Sequence, residues 1–128
     1  MNPTRSFTLL SVVAVLAVVP SVALAKHGND GKQVTGKCTK SASSKLKVKP
    51  DDGRLETEFE VDQNRSGVRW KVTLRLGAKL AVKTTARTKA PSGSFSLERR
   101  LADRAGKDKI AARATSPSGE VCSASLSI

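Results

Sequence analysis

A chain of 128 residues with 23 Lys and Arg against 11 Asp and Glu carries a formal charge of +12, and aromatic residues make up only 3% of it. That length admits one domain with a core small enough to need reinforcement. One histidine and no tyrosine leave little for general acid-base chemistry near neutral pH, which argues against an enzyme, while the surplus of cations points to anionic partners.

Residues 1–25 have the pattern of a signal peptide. Arg5 supplies the positive start, Leu9 to Val19 is an apolar stretch broken only by Ser11, and Ala23-Leu24-Ala25 fits a cleavage site. Crossing a bilayer takes about 20 apolar residues, and no second such run follows, so no transmembrane segment is expected in the mature chain. Export and cleavage after Ala25 would leave a secreted protein of 128 − 25 = 103 residues, its charge reduced by Arg5 alone to +11. Residues 26–33, polar and rich in glycine, read as a flexible tail, with a single β-sandwich domain over 34–128.

Cys38 and Cys122 are the only cysteines. In an oxidising compartment, with no metal-type spacing, they are expected to form a disulfide joining the first strand to the last.

From Val34 onward the hydrophobic period is two. Leu46 and Val48 share one phase, followed by Leu55, Thr57, Phe59 and Val61, and then Val68, Trp70, Val72, Leu74 and Leu76. Further runs place Leu80, Val82 and Ala86 on an inner phase, with Phe95 and Leu97, then Ile110, Ala112 and Ala114, and finally Cys122, Ala124, Leu126 and Ile128. Asp52-Gly53, Asn64 to Gly67, Gly77-Ala78, Pro91 to Gly93, Ala105-Gly106 and Pro117 to Gly119 punctuate them. Short strands at this spacing predict an all-β fold, a single antiparallel β-sandwich of seven to eight strands with one disulfide.

Charge sets the register of the first hairpin. A two-residue loop at Asp52-Gly53 sets Lys49 against Glu56, Lys47 against Glu58 and Lys45 against Glu60, with Leu46 and Val48 meeting Phe59 and Thr57 on the other face. A one-residue slip would bury several charges. Continuing the hairpin through Gln63 and Val68 places Glu60 against Lys71, Glu56 against Arg75 and Asp62 against Arg69. A three-residue loop over Gly77 to Lys79 then sets Leu76 against Leu80 and Leu74 against Val82.

Few residues suggest chemistry. His27 falls in the expected tail, and Ser44 and Lys47, three apart in a strand, point to opposite faces. Asp62 to Gly67, D-x-N-x-S-G, starts like a calcium loop, but its twelfth position is Thr73 where a bidentate glutamate is needed, so a polar turn is the simpler reading. Asn64-Arg65-Ser66 matches a glycosylation sequon. No catalytic residue, metal site or cofactor is expected. Trp70, Phe59 and Phe95, the aromatics of the expected mature chain, all fall on inner phases, which leaves no aromatic platform for single-stranded nucleic acid and argues against specific nucleic-acid binding. What remains is a basic stripe of Arg69, Lys71, Arg75, Lys79, Lys83, Arg87 and Lys89, with no acid between Asp62 and Glu98. Such a field concentrates polyanions. It also serves solubility.

The stretches GKCTKSASSKLKVKPDDGRLETEFEVDQNRSGVRWKVTLRL and APSGSFSLERRLADRAGKDKIAARATSPSGEVCSASLSI resemble small secreted actinobacterial proteins. The closing DKIAARATSPSGEVCSASLSI is similar to the last hairpin of an immunoglobulin-like or fibronectin type III-like domain. The resemblance implies fold and transfers no site residues. Two readings of function follow: a non-enzymatic secreted or surface-associated binding module for an anionic cell-envelope polymer, or a structural domain that pairs an edge strand with a protein partner.

Overall fold

The computed structural model describes residues 31–128. The expected signal peptide, its cleavage site, His27 and most of the expected tail lie outside the described residues. Among these residues there is no helix, hence none long and apolar enough to cross a membrane.

Among the described residues nine strands follow in chain order: β1 (Lys32–Thr35), β2 (Lys37–Cys38), β3 (Ser43–Asp51), β4 (Arg54–Asp62), β5 (Arg69–Leu76), β6 (Lys79–Arg87), β7 (Ser94–Ala102), β8 (Lys109–Thr115) and β9 (Val121–Ser127). They form two antiparallel sheets, a four-stranded one ordered β1-β3-β4-β7 and a five-stranded one ordered β2-β9-β8-β5-β6. The first described strand begins at Lys32, two residues before Val34, and β1 pairs with β3 from Lys32↔Val48 to Thr35↔Lys45.

The β3–β4 hairpin has the register that its charges dictate: Lys49↔Glu56, Lys47↔Glu58, Lys45↔Glu60, Leu46↔Phe59 and Val48↔Thr57. Asp52 and Gly53 both adopt positive φ, 50° and 72°. A two-residue turn with this twist requires that of both residues, and Asp followed by Gly meets it at low cost.

The next connection differs from expectation. β4 pairs with β7, not with β5, and the chain crosses to the opposite sheet between Asp62 and Arg69. The pairings of Glu60, Glu56 and Asp62 with Lys71, Arg75 and Arg69 therefore do not form. The six residues from Gln63 to Val68 give the chain reach across two sheets that stack about 10 Å apart. Buried Thr88 anchors the crossing, its hydroxyl donating to the Arg65 carbonyl at 2.6 Å and accepting from the Val68 N–H at 2.9 Å. Gly93 packs against the Asn64–Arg65 backbone so closely that a Cβ would overlap it.

The core lies between the sheets. Leu46, Val48, Phe59 and Val61 from one sheet and Trp70, Val72, Leu74 and Ile110 from the other have no exposed surface. Trp70 and Phe95 meet tilted at 57° with centroids 6.2 Å apart, and the indole N–H donates to Gln63 Oε1. Burying this apolar surface, at about 25 cal/mol per Å2, is the main stabilising term. The disulfide Cys38–Cys122 ties β2 to β9 across 84 positions.

Candidate functional site

Side chains alternate along β5, so Trp70, Val72, Leu74 and Leu76 turn inward while Arg69, Lys71, Thr73 and Arg75 turn out. Directly opposed residues of an antiparallel pair share a face. The register therefore maps the outer surface of the five-stranded sheet: Lys83 and Arg87 on β6 oppose Thr73 and Arg69. On the other side Arg113 and Ala111 of β8 oppose Thr73 and Arg75. Lys109 of β8 lies in the same phase as Ala111, and Lys37 of β2 joins the face opposite Ser123 of β9.

Among the described residues the face thus carries eight cations, three on β5, two on β6, two on β8 and one on β2, and not one carboxylate. Threonine, serine and alanine fill most of the remaining positions, and Val121 and Leu80 are its larger apolar residues. Arg69 and Arg87 sit directly opposite each other, a like-charge pairing that costs stability. The outer face of the other sheet is different. Lys45, Lys47, Lys49, Arg54 and Arg100 stand there among Asp51, Glu56, Glu58, Glu60, Asp62 and Glu98, so its formal charge is 5 − 6 = −1. Among the described residues the salt bridges are Arg100–Asp51 and Arg104–Asp108, and neither lies on the basic face.

Five of the seven stripe residues come together as expected: Arg69, Lys71, Arg75, Lys83 and Arg87. Two do not. A β-bulge displaces the register between Leu74↔Val82 and Arg75↔Leu80, which turns Lys79 onto the inner phase opposite Leu76 and brings Leu80 to the outer face, 42% exposed. The loop is two residues, Gly77-Ala78, and not three. Leu74↔Val82 forms as expected and Leu76↔Leu80 does not. Lys89 lies past the end of β6, where it bridges Ser94 at the start of β7.

Lys37, Lys109 and Arg113 escaped the sequence reading. The signal for two of them was present, because the inward phase of Ile110, Ala112 and Ala114 forces Lys109 and Arg113 outward. Beneath Arg75, Lys109 and Arg113 runs a shallow depression of about 540 Å3, floored by Thr73, Ala111, Ser123 and Ser125 and reaching Lys37.

The other candidates resolve into structure. Cys38, Glu120 and Cys122 bring potential ligand atoms within 4.8 Å of one another, but both sulfurs are spent on the disulfide. Buried Glu120 Oε2 accepts from the backbone N–H groups of Lys40 and Ala42 at 3.0 and 2.9 Å, fixing the 39–42 turn. In the calcium-like segment Asp62 Oδ1 accepts from the Asn64 N–H, closing a local turn in the crossing loop. Ser44 is buried and Lys47 exposed, on opposite faces of β3.

No protein-family model, curated protein or solved structure matches the chain.

Proposed function

We propose that this protein is a non-enzymatic, secreted or surface-associated binding module, immunoglobulin-like in build, that holds anionic polymers of the cell envelope against the outer face of its five-stranded sheet. One observation carries the reading: among the described residues eight cations share that face with no carboxylate, although six acids stand on the opposite face. A surface needed only for solubility has no reason to separate its charges in this way. Repulsion between Arg69 and Arg87 is a cost that an anionic ligand repays.

Retention on immobilised heparin or a teichoic-acid-like polymer across a salt series tests it. Changing Arg69, Lys83 and Arg87 together to Gln should reduce the slope of log affinity against log salt by about 2, at roughly 0.7 per lost contact. The same change at Lys45, Lys47 and Lys49 removes equal charge from the balanced face and should leave the slope nearly intact. Equal losses from both sets, or no retention at low salt, refute the reading.

A second reading rests on β6, a nine-residue edge strand with Leu80 exposed at its start. Such an edge can accept an extended protein segment as an added strand. Its bulge and its lysines work against this pairing, which is why the polymer reading is preferred.

A further inference from the structure

Two small residues and two arginines alternate at the centre of the basic face. Thr73 on β5 opposes Arg113 on β8, and Arg75 opposes Ala111, so the arginines occupy one diagonal and Thr73 and Ala111 the other. Each small residue floors a notch. Around Thr73 stand Lys71 and Arg75 two positions away on its own strand, with Lys83 and Arg113 opposite it on the two neighbouring strands. Around Ala111 stand Lys109, Arg113 and Arg75, with the Ser125 hydroxyl on the fourth side. Thr73 and Ala111 are half-buried between exposed cations, and both belong to the depression described above. Arg75 and Arg113 wall both notches; one Nη of Arg75 donates to the Ala78 carbonyl at 3.3 Å, and its remaining N–H groups, with those of Arg113, are the donors for an anion.

From this arrangement we infer that the two notches bind consecutive phosphate groups of one phosphodiester chain whose neighbouring phosphorus atoms are joined through a three-carbon polyol. The inference rests on the polyanion reading and names its ligand. Diagonal neighbours on paired strands lie about 7 to 8 Å apart. Six extended backbone bonds span about 7 Å, the reach of two amino-acid residues, and a phosphodiester linked through three carbons also has six bonds from one phosphorus to the next. Guanidinium groups suit the task because their fork of N–H donors matches two oxygens of one phosphate. A nucleic-acid backbone has a similar repeat, but among the described residues its bases would find no exposed aromatic ring to stack on, since Trp70, Phe59 and Phe95 are all buried.

The test is an amide-shift titration of the protein with a short oligo(glycerol phosphate), glycerol 3-phosphate, a thymidine oligonucleotide and a heparin oligosaccharide, matched in charge and ionic strength. The oligo(glycerol phosphate) should shift Thr73 and Ala111 together and saturably, and bind at least about tenfold more tightly than glycerol 3-phosphate. Thr73→Glu places a carboxylate among four cations, which leaves folding unthreatened. It should weaken the oligomer at least about tenfold, far more than Thr85→Glu, the same charge change on the same face outside the notches. Thr73→Ser should bind as the parent does. Equal losses from Thr73→Glu and Thr85→Glu, shifts spread evenly over the face, or tighter binding of heparin or the oligonucleotide would overturn the inference. Salt-dependent polymer retention would survive those outcomes if the broader reading is right, and its absence would remove both.

Discussion

Reduction of the Cys38–Cys122 bridge removes no heavy atom from the folded protein, so its effect on stability measures what the cross-link does to the unfolded chain. With the cysteines 84 positions apart, the loop-entropy expression gives about 4.6 kcal/mol at 25 °C. Domains of this size are stable by about 5 to 15 kcal/mol, so reduction should remove a third or more of the total. At 1.4 kcal/mol per factor of ten, slowly exchanging amides in β4, β5 and β8, which open only on global unfolding, should exchange about 2,000-fold faster. The urea midpoint should fall. The m-value should rise, because an unlinked denatured chain exposes more surface. The alternative mechanism is local. β2 is two residues long and pairs only with the start of β9, so the bridge could act merely as a clip on the strands before β3. Amide exchange read strand by strand on the reduced protein separates the two. Acceleration confined to β1, β2 and the 39–42 turn, with the centre unchanged, would refute the loop-entropy argument.

Glu58 faces Glu98 across β4 and β7 with only the Ser96 hydroxyl donating to it from that strand; Glu98→Lys should therefore raise stability by about 0.5 kcal/mol in a urea titration at low salt, a gain that shrinks as salt is added. Glu120→Ala strands two backbone donors and should cost about 2 to 4 kcal/mol, with Glu120→Gln recovering a large part because one amide oxygen can accept both bonds; thermal unfolding of the pair reads the difference. Thr88→Val keeps the shape of the side chain while removing the bonds to Arg65 and Val68, and should cost about 1 to 3 kcal/mol with faster exchange at Val68 and little change in the β3–β4 hairpin. A cost of only a few tenths would mean that the backbone bonds between Thr88 and residues 67 and 68 suffice to hold the crossing.

What the sequence revealed was what side-chain alternation and a charge-matched turn decide between neighbours in the chain. The β3–β4 register follows from two charge ladders and an Asp-Gly, and the inner phases of β3, β4, β5, β8 and the start of β9 follow from alternation alone. Sheet membership was not legible in the same way. Trp70 and Val72 point into the core whether β5 lies beside β4 or faces it, so a period of two cannot tell a sheet neighbour from a facing strand. The bulge in β6 was hidden for a related reason: one extra residue reverses the phase of all that precedes it, and the Leu80-Ala81-Val82 run reads as apolar in either phase. Of the basic face, the cations on β5 and both of those on β6 were visible as a run. Those on β8 and β2 became neighbours only once β5 was placed beside β8 and β9 beside β2.

The crossing between Asp62 and Arg69 is also what gives the net charge a direction. Had β5 continued the hairpin, Lys71 and Arg75 would have faced Glu60 and Glu56, and the acidic strand would have neutralised the basic strands on both sides. Instead β4 meets β7, where Arg100 takes the place opposite Glu56, and the acids of β4 are absorbed within their own sheet by Lys45, Lys47, Lys49 and Arg100. The cations of β5 are left facing a second basic strand on one side and Arg113 on the other. Surface charges farther apart than about 10 Å are largely screened at ordinary ionic strength, so carboxylates on the far face of the sandwich do little to offset the field above Thr73. The fold therefore turns an excess of lysine and arginine, which spread evenly would serve solubility, into a surface of one sign.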